Sequence, residues 1–456
     1  MEQTTNRVKP EVAGGFRDYM PEETLQRQWM IDTIRGVFEL HGFSPISTPC
    51  VEREDVLTGG DPNFKMQIFR IAEKDVPLAL RFDLTVPLAR FMASHPTDVV
   101  IPFRRYQVAP VWRGEKPQAG RYCEFLQFDA DTVGSDSMLA DAETIALIDS
   151  VLKALVGGEK YTIRVNDRKI LNALPAFCGF PAERINDVLR VLDKIDKIGW
   201  KGVAAELAKK PENEWDDSAI AMDQSAIDRI HEFLSIRGQG HEDVLDEVAR
   251  LVGDEPNGTA GVAELREVVQ YVRALGVSDE NWCIDLSVAR GLGYYTGPVF
   301  EATIDAAADL GSVFSGGRYD GLVNRFSPAQ YGATGASVGV DRLFAVLEKL
   351  GKLPATKSVT KVLIARFDPA LDERYLRIAA KLRAANIATE LYMGGDPTLK
   401  GQLGYALKLG VGFLIIMGPD EAAKEVVQVK DLDARKQVEV AEGDVVLHLT
   451  EKLGSE

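Results

Sequence analysis

The stretch from Phe103 to Val133 constrains the fold of this chain more than any other. Residues 103–112 and 122–133 are two strand-like runs. Between them lies Arg113-Gly-Glu-Lys-Pro-Gln-Ala-Gly-Arg121, a polar segment with the residues of a turn. Two such runs joined this way predict a long antiparallel hairpin. Residues 76–82, Val-Pro-Leu-Ala-Leu-Arg-Phe, read as a further strand. These strands are expected to follow one another without crossover helices, which predicts an antiparallel core sheet. Ahead of them, Pro21-Glu-Glu23 opens a helix. Met30, Ile34, Val37 and Phe38 repeat at helical spacing, and Gly42 closes it.

Residues 167–256 change character. Patterns such as Ile185–Ile198 and Ala226–Phe233 predict helices with charged faces, and Asp254-Glu-Pro-Asn-Gly258 closes the stretch with turn chemistry. This reads as a helical insertion. Strand patterns resume at Cys283–Val288 and Val299–Ile304, and Gly316-Gly317 is expected in a turn after a strand. Residues 352–360 read as a linker. Beyond it, 362–367, 388–393 and 411–417 read as strands, with helices at 372–385 and 397–409 between them. Such alternation predicts a parallel α/β domain.

A length of 456 residues predicts two or three domains. The formal net charge of -16 argues against a protein that coats nucleic acid non-specifically, but not against a specific RNA enzyme, because a local basic groove makes such contacts. The four cysteines, Cys50, Cys123, Cys178 and Cys283, form no C-x-x-C pair, and the histidines show no metal-ligand spacing. The first residues lack the apolar stretch of a signal peptide, and Val411–Met417 is too short to span a bilayer. A cytoplasmic protein without membrane contact is therefore expected.

Four arginines stand out: Arg113 at the hairpin edge, Arg121 across the loop, Arg290 before a Gly-rich turn, and Arg342 at a helix start. A guanidinium fork suits phosphate oxygens, although any one arginine is ordinarily a solvated surface group. Arg290-Gly-Leu-Gly-Tyr-Tyr-Thr-Gly297 and Gly316-Gly-Arg-Tyr-Asp-Gly321 mix glycine with tyrosine. Glycine permits close backbone approach to a ligand, but a turn also explains it. Asp83 and Asp131 could each hold an ammonium or imidazole group, although a strand-edge carboxylate in solvent is the commoner role for either taken singly. No Walker loop occurs.

Together these segments resemble a known family. Arg113 with Glu115, Arg121-Tyr-x-x-Phe125 and Gln127 resembles motif 2 of class II aminoacyl-tRNA synthetases. Gly335-Ala-Ser-Val-Gly-Val-Asp-Arg342 resembles motif 3, and Pro49 resembles the motif 1 proline of the family's dimer interface. Arg290-Gly-Leu-x-Tyr-Tyr-Thr296 and Gly317-Arg-Tyr-Asp-Gly321 are similar to the two histidine signatures of histidyl-tRNA synthetases. Five modest motifs in order over nearly the whole chain make a specific match.

The resemblance implies an α+β fold: an antiparallel-sheet catalytic domain in two parts (1–166 and 257–351), a helical insertion at 167–256, a linker at 352–360, and an α/β anticodon-binding domain at 361–456. It implies activation of histidine with ATP and Mg²⁺, then transfer to the 3′ end of tRNA(His), by a homodimer. Asp83, Thr85 and Gln127 would hold the α-amino group, and Asp131, Tyr294 and Tyr295 the imidazole. Arg113 and Arg290 would act on the α-phosphate as the catalytic pair. Glu115 and Phe125 would hold adenine, and Arg121 and Arg342 the outer phosphates. Lys116 is the candidate for touching tRNA. No side-chain pattern assigns a metal site, so Mg²⁺ would arrive with ATP.

Two departures stand against the pattern. Gly293 occupies a position where the family usually has an acid, and the motif 2 loop is poor in basic groups. The main rival is a regulatory paralogue that kept the fold, such as the partner of an ATP phosphoribosyltransferase. Such paralogues typically lack the C-terminal domain and lose active-site residues, whereas here 361–456 is present and Arg113, Arg290 and Arg342 remain.

Overall fold

A computed structural model describes residues 8–59, 68–71, 76–114, 122–211, 219–289 and 295–454. The chain divides into two compact units. One holds the residues up to Asp18 with Met30–Lys352; the other holds Tyr19–Trp29 with the chain from Leu353 onward.

In the first unit the strands are β1 (Ser44–Pro45), β2 (Val51–Arg53), β3 (Arg70–Ile71), β4 (Leu78–Leu80), β5 (Phe103–Trp112), β6 (Glu124–Val133), β7 (Tyr161–Asp167), β8 (Trp282–Ile284), β9 (Pro298–Ile304), β10 (Phe314–Arg318) and β11 (Ala333–Gly339). Eight of them form one sheet in the order β1-β5-β6-β11-β10-β9-β7-β8. The predicted hairpin is its β5–β6 pair, with Arg105 opposite Asp131 and Gln107 opposite Asp129. From β5 to β7 every pairing is antiparallel; only β1–β5 and β7–β8, at the edges, are parallel.

Three expectations need correction. The strand within 76–82 does not join this sheet. It is β4, paired with β2 and β3 in a separate three-stranded sheet. A helix, Thr85–Ser94, stands between β4 and β5, because Asp83 Oδ1 accepts the Val86 amide at 3.2 Å and starts it. Gly316 and Gly317 lie inside β10, not in a turn. A Cβ at 316 would sit 2.1 Å from the Gly335 carbonyl oxygen, and one at 317 would sit 2.7 Å from that of Pro298, so glycine lets three strands close up. Finally, Asp254–Gly258 does not end the helical stretch. Pro256 opens another helix, Pro256–Ala274, whose Gly258 amide is capped by Glu255 at 2.8 Å.

Residues alternate across the sheet, so each strand shows one set to each face. Phe128 and Tyr106 point to the face covered by the later turns of the helix Pro21–Leu40, from Met30 onward. Phe38 of that helix meets Phe128 edge-on at 5.0 Å between ring centres. The helix Leu139–Val156 is apolar on nearly all sides and packs behind the sheet as well. Deleting a buried ring such as Phe128 would cost roughly 3–5 kcal/mol. The opposite face carries the polar residues described below.

The second unit contains β12 (Val362–Ile364), β13 (Thr389–Leu391), β14 (Phe413–Ile416), β15 (Val426–Asp431) and β16 (Lys436–Ala441), in the order β13-β12-β14-β15-β16. The expected parallel α/β pattern holds for β13-β12-β14, with the helices Asp372–Ala384 and Leu399–Leu409 between them. It fails for β15 and β16, which are antiparallel and make the sheet mixed. The signal for β16 is weak: Val438 and Val440 alternate with Gln437 and Glu439, but the strand is short and almost wholly exposed, with Val440 partly buried against the core. Tyr375 anchors this core, fully buried, its hydroxyl donating to the Met417 carbonyl at 2.8 Å.

Candidate active site on the polar face of the sheet

Two rows of residues run across the sheet on the face away from the helix Pro21–Leu40. The pairings put Gln107, Asp129, Ser337, Ser315, Glu301 and Arg164 in one row. The neighbouring row runs Arg105, Asp131, Gly335, Gly317, Val299 and Asn166. Arg105, Gln107, Asp129, Asp131, Asn166 and Glu301 are all buried. Burying ionised groups is costly unless they are paired, so a polar row of this kind marks a site rather than a packing face.

Asp131 is held from two sides. One oxygen pairs with Arg105, fully buried, at 2.6 Å, and the other accepts a hydrogen bond from the Tyr319 hydroxyl. A third constraint is steric: a Cβ on Gly335 would lie 2.2 Å from Asp131 Oδ1. Beside it, Gln127 Nε2 donates to Asp129 Oδ2 at 2.9 Å. Among the described residues, Gln127 Oε1 is buried without a hydrogen-bond partner, and Ser337 lies beside the Asp129 carboxyl.

Burial pushes the Asp129 carboxyl up to about 7, with Arg105 pulling it down and Asp131 adding to the rise. It raises Asp131 as well, against the pull of Arg105 and the Tyr319 hydrogen bond. Asp83 is pushed up to about 6, chiefly by burial, while its bond to the Val86 amide and the charges of Arg113 and Arg105 oppose the shift. A raised folded-state pKa gives stability that is present below the unfolded pKa and is lost as pH rises through the folded one. For Asp129 that window runs from the ordinary carboxylate range to about 7. Asp129→Asn, which mimics the protonated form, is therefore expected to raise the melting temperature at pH 8 and to leave it nearly unchanged at pH 4. Equal shifts at both values would show that the charge is not what the fold resists.

The remaining predicted residues fall around this centre. Thr85 is the first residue of the helix that Asp83 starts. Arg113 leaves the end of β5, its Nε donates to the Phe82 carbonyl at 3.2 Å, and its guanidinium lies 4.9 Å from the centre of the Phe125 ring. Tyr295 packs in the same apolar cluster as Tyr319 and close over Gly317. Arg342 is in the first turn of the helix Val340–Lys349 and donates to the Ser312 carbonyl at 2.5 Å. Glu115, Lys116, Arg121, Arg290, Gly293 and Tyr294 lie outside the described residues.

Sequence reasoning missed Arg105, Asp129, Tyr319 and Ser337. A signal existed: polar residues at 105 and 107, and at 127, 129 and 131, recur with period two inside otherwise apolar strands. Only the strand register shows that the two sets meet.

Known proteins resemble this chain over nearly its whole length. A family model for histidyl-tRNA synthetase matches residues 15–343, and one for an anticodon-binding domain matches 361–452. The chain belongs to the histidyl-tRNA synthetase family. A histidine–tRNA ligase of Rhodopirellula baltica is 40% identical over 437 residues, covering 95% of this chain and 96% of its own length. The crystal structure of histidyl-tRNA synthetase from Nostoc sp. PCC 7120 superposes with a TM-score of 0.84 at 34% identity, covering 98% of this chain and 100% of that one. An ATP phosphoribosyltransferase regulatory subunit/histidyl-tRNA synthetase from Bacillus halodurans C matches with a TM-score of 0.71 over 88% of this chain and 97% of that one, but at 24% identity, a likeness of fold alone. As a histidyl-tRNA synthetase family member, the chain has the α+β fold of class II enzymes.

Proposed function

We propose that the polar face of the large sheet binds histidine and ATP, and that the chain is a histidine–tRNA ligase. The observation that carries the reading is Asp131, fixed by Arg105, Tyr319 and the missing Cβ of Gly335 in a chain of this family. A carboxylate so restrained selects by geometry, since a wrong side chain leaves buried polar groups unpaired.

In the first step a carboxylate oxygen of histidine attacks the α-phosphorus of ATP. An O–P bond forms, the bond to the β-phosphate bridge breaks, and pyrophosphate leaves with the electron pair. The nucleophile is already ionised, so no general base is required; positioning and charge neutralisation do the work. Asp83, Thr85 and Gln127 hold the α-amino group, and Asp131, Tyr294 and Tyr295 the imidazole. Arg113 and Arg290 neutralise the α-phosphate oxygens. Phe125 stacks on adenine with Glu115 at its edge, and Arg121 and Arg342 take the outer phosphates. Mg²⁺ bound with ATP would supply further positive charge to the outer phosphates that Arg121 and Arg342 take. In the second step a ribose hydroxyl at the 3′ end of tRNA(His) attacks the aminoacyl carbonyl, and AMP departs.

The domain 361–456 reads the anticodon, the helical insertion follows β7, Lys116 contacts tRNA, and a cytoplasmic homodimer forms through the Pro49 region. The test is ATP–pyrophosphate exchange with each amino acid in turn. Exchange driven by histidine alone is expected. No exchange with histidine would overturn the reading in favour of the regulatory paralogue.

A further inference from the structure

Arg318 projects from β10 on the opposite side of the sheet from Gly317 and the histidine pocket. It is 3% exposed, yet it makes several polar contacts. Its guanidinium donates to the carbonyls of Ser135 and Ser137, each at 3.0 Å, to the fully buried Asp141, and to Asp320 Oδ1 at 3.2 Å. Burial pushes the Asp141 carboxyl up to about 6 against the pull of Arg318. Asp320 passes the connection on. It accepts the Thr296 hydroxyl at 2.7 Å and the Ala333 amide at 3.1 Å. The Thr296 amide donates to the Arg318 carbonyl at 2.8 Å, and a Cβ on Gly297 would sit 3.0 Å from Arg318 Cδ.

These contacts converge on the residue next to Tyr295, whose ring lies over Gly317 on the pocket side. We infer that Asp141, Arg318, Asp320 and Thr296 form a clamp that positions Tyr295 for the imidazole of histidine, acting from behind the sheet. All four are positioning residues. The ion pair holds Asp320, Asp320 orients the Thr296 hydroxyl, and Thr296 fixes the backbone from which Tyr295 projects, three residues before β9. A side chain held by such a chain of bonds keeps the geometry that a specific pocket needs.

This inference rests on the reading of the chain as a histidine–tRNA ligase, and its test separates the two. Thr296→Val preserves shape but removes the hydroxyl; Thr296→Ser keeps it. Pyrophosphate exchange is measured for the wild type and both variants, with the melting temperature of each. Thr296→Val is expected to raise the histidine KM about tenfold, the loss of one hydrogen bond to a charged group. The ATP KM should stay within about twofold, and Thr296→Ser should return the histidine KM to near wild type. An unchanged histidine KM in Thr296→Val, an equal change in both KM values, or failure of Thr296→Ser to rescue would each overturn the clamp while leaving the enzyme reading intact. Absence of histidine-dependent exchange in the wild type would overturn both.

Discussion

Arg113→Ala is expected to slow histidyl-adenylate formation by at least about 10²-fold, the usual effect of removing one preorganised electrostatic stabiliser. The guanidinium is restrained before any substrate arrives. Its Nε is tied to the Phe82 carbonyl at 3.2 Å, and its guanidinium lies 4.9 Å from the centre of the Phe125 ring. A charge fixed in this way costs little reorganisation when charge develops on the α-phosphate. Arg113→Lys keeps the charge but loses both the fork and the Nε anchor, so it should recover only part of the rate. Arg290→Ala is expected to match Arg113→Ala, since both arginines are proposed to neutralise the same α-phosphate oxygens. The measurement is single-turnover adenylate formation at saturating ATP, with folding checked by circular dichroism. A folded Arg113→Ala protein with near-normal turnover would remove Arg113 from the mechanism.

Gly335→Ala should damage histidine use by a comparable factor through a different route. Its new methyl would lie 2.2 Å from Asp131 Oδ1 and 2.5 Å from the Ala130 carbonyl oxygen. The backbone oxygen belongs to β6, paired residue for residue with β11, and has little freedom to retreat. The carboxyl must therefore give way, breaking its geometry with Arg105 or Tyr319. Histidine kcat/KM should fall by about 10²-fold or more, with a smaller effect on the ATP KM. Some loss of stability is also expected, because overpacking typically costs 1–3 kcal/mol. The control is Gly36→Ala, in the helix Pro21–Leu40, where an added Cβ meets nothing within 4 Å. If Gly335→Ala kept its histidine kcat/KM, Asp131 would not be the group that reads the imidazole.

The sequence by itself determined the local elements and the family. The β5–β6 hairpin, the helix after Pro21, the strand–helix alternation after residue 361 and the ordered motifs were legible because each depends on residues close together in the chain. It also marked Asp131, Gln127, Arg113 and Phe125, which sit in one run. It did not reveal that Arg105 is the partner of Asp131, that Tyr319 caps it, or that Gly316 and Gly317 are strand residues. Those facts depend on register between strands far apart in sequence: Tyr319 reaches Asp131 over 188 residues and Arg318 reaches Asp141 over 177. Periodicity reports which face a side chain takes, but not what lies across from it. Only the closing of β10 against β9 and β11 decided that, because a missing Cβ can be read as a turn until a neighbouring strand occupies the space. The charge states were likewise tertiary. Asp83 and Asp129 are ordinary carboxylates in a peptide, and only burial, against the pull of Arg105, raised them to about 6 and about 7.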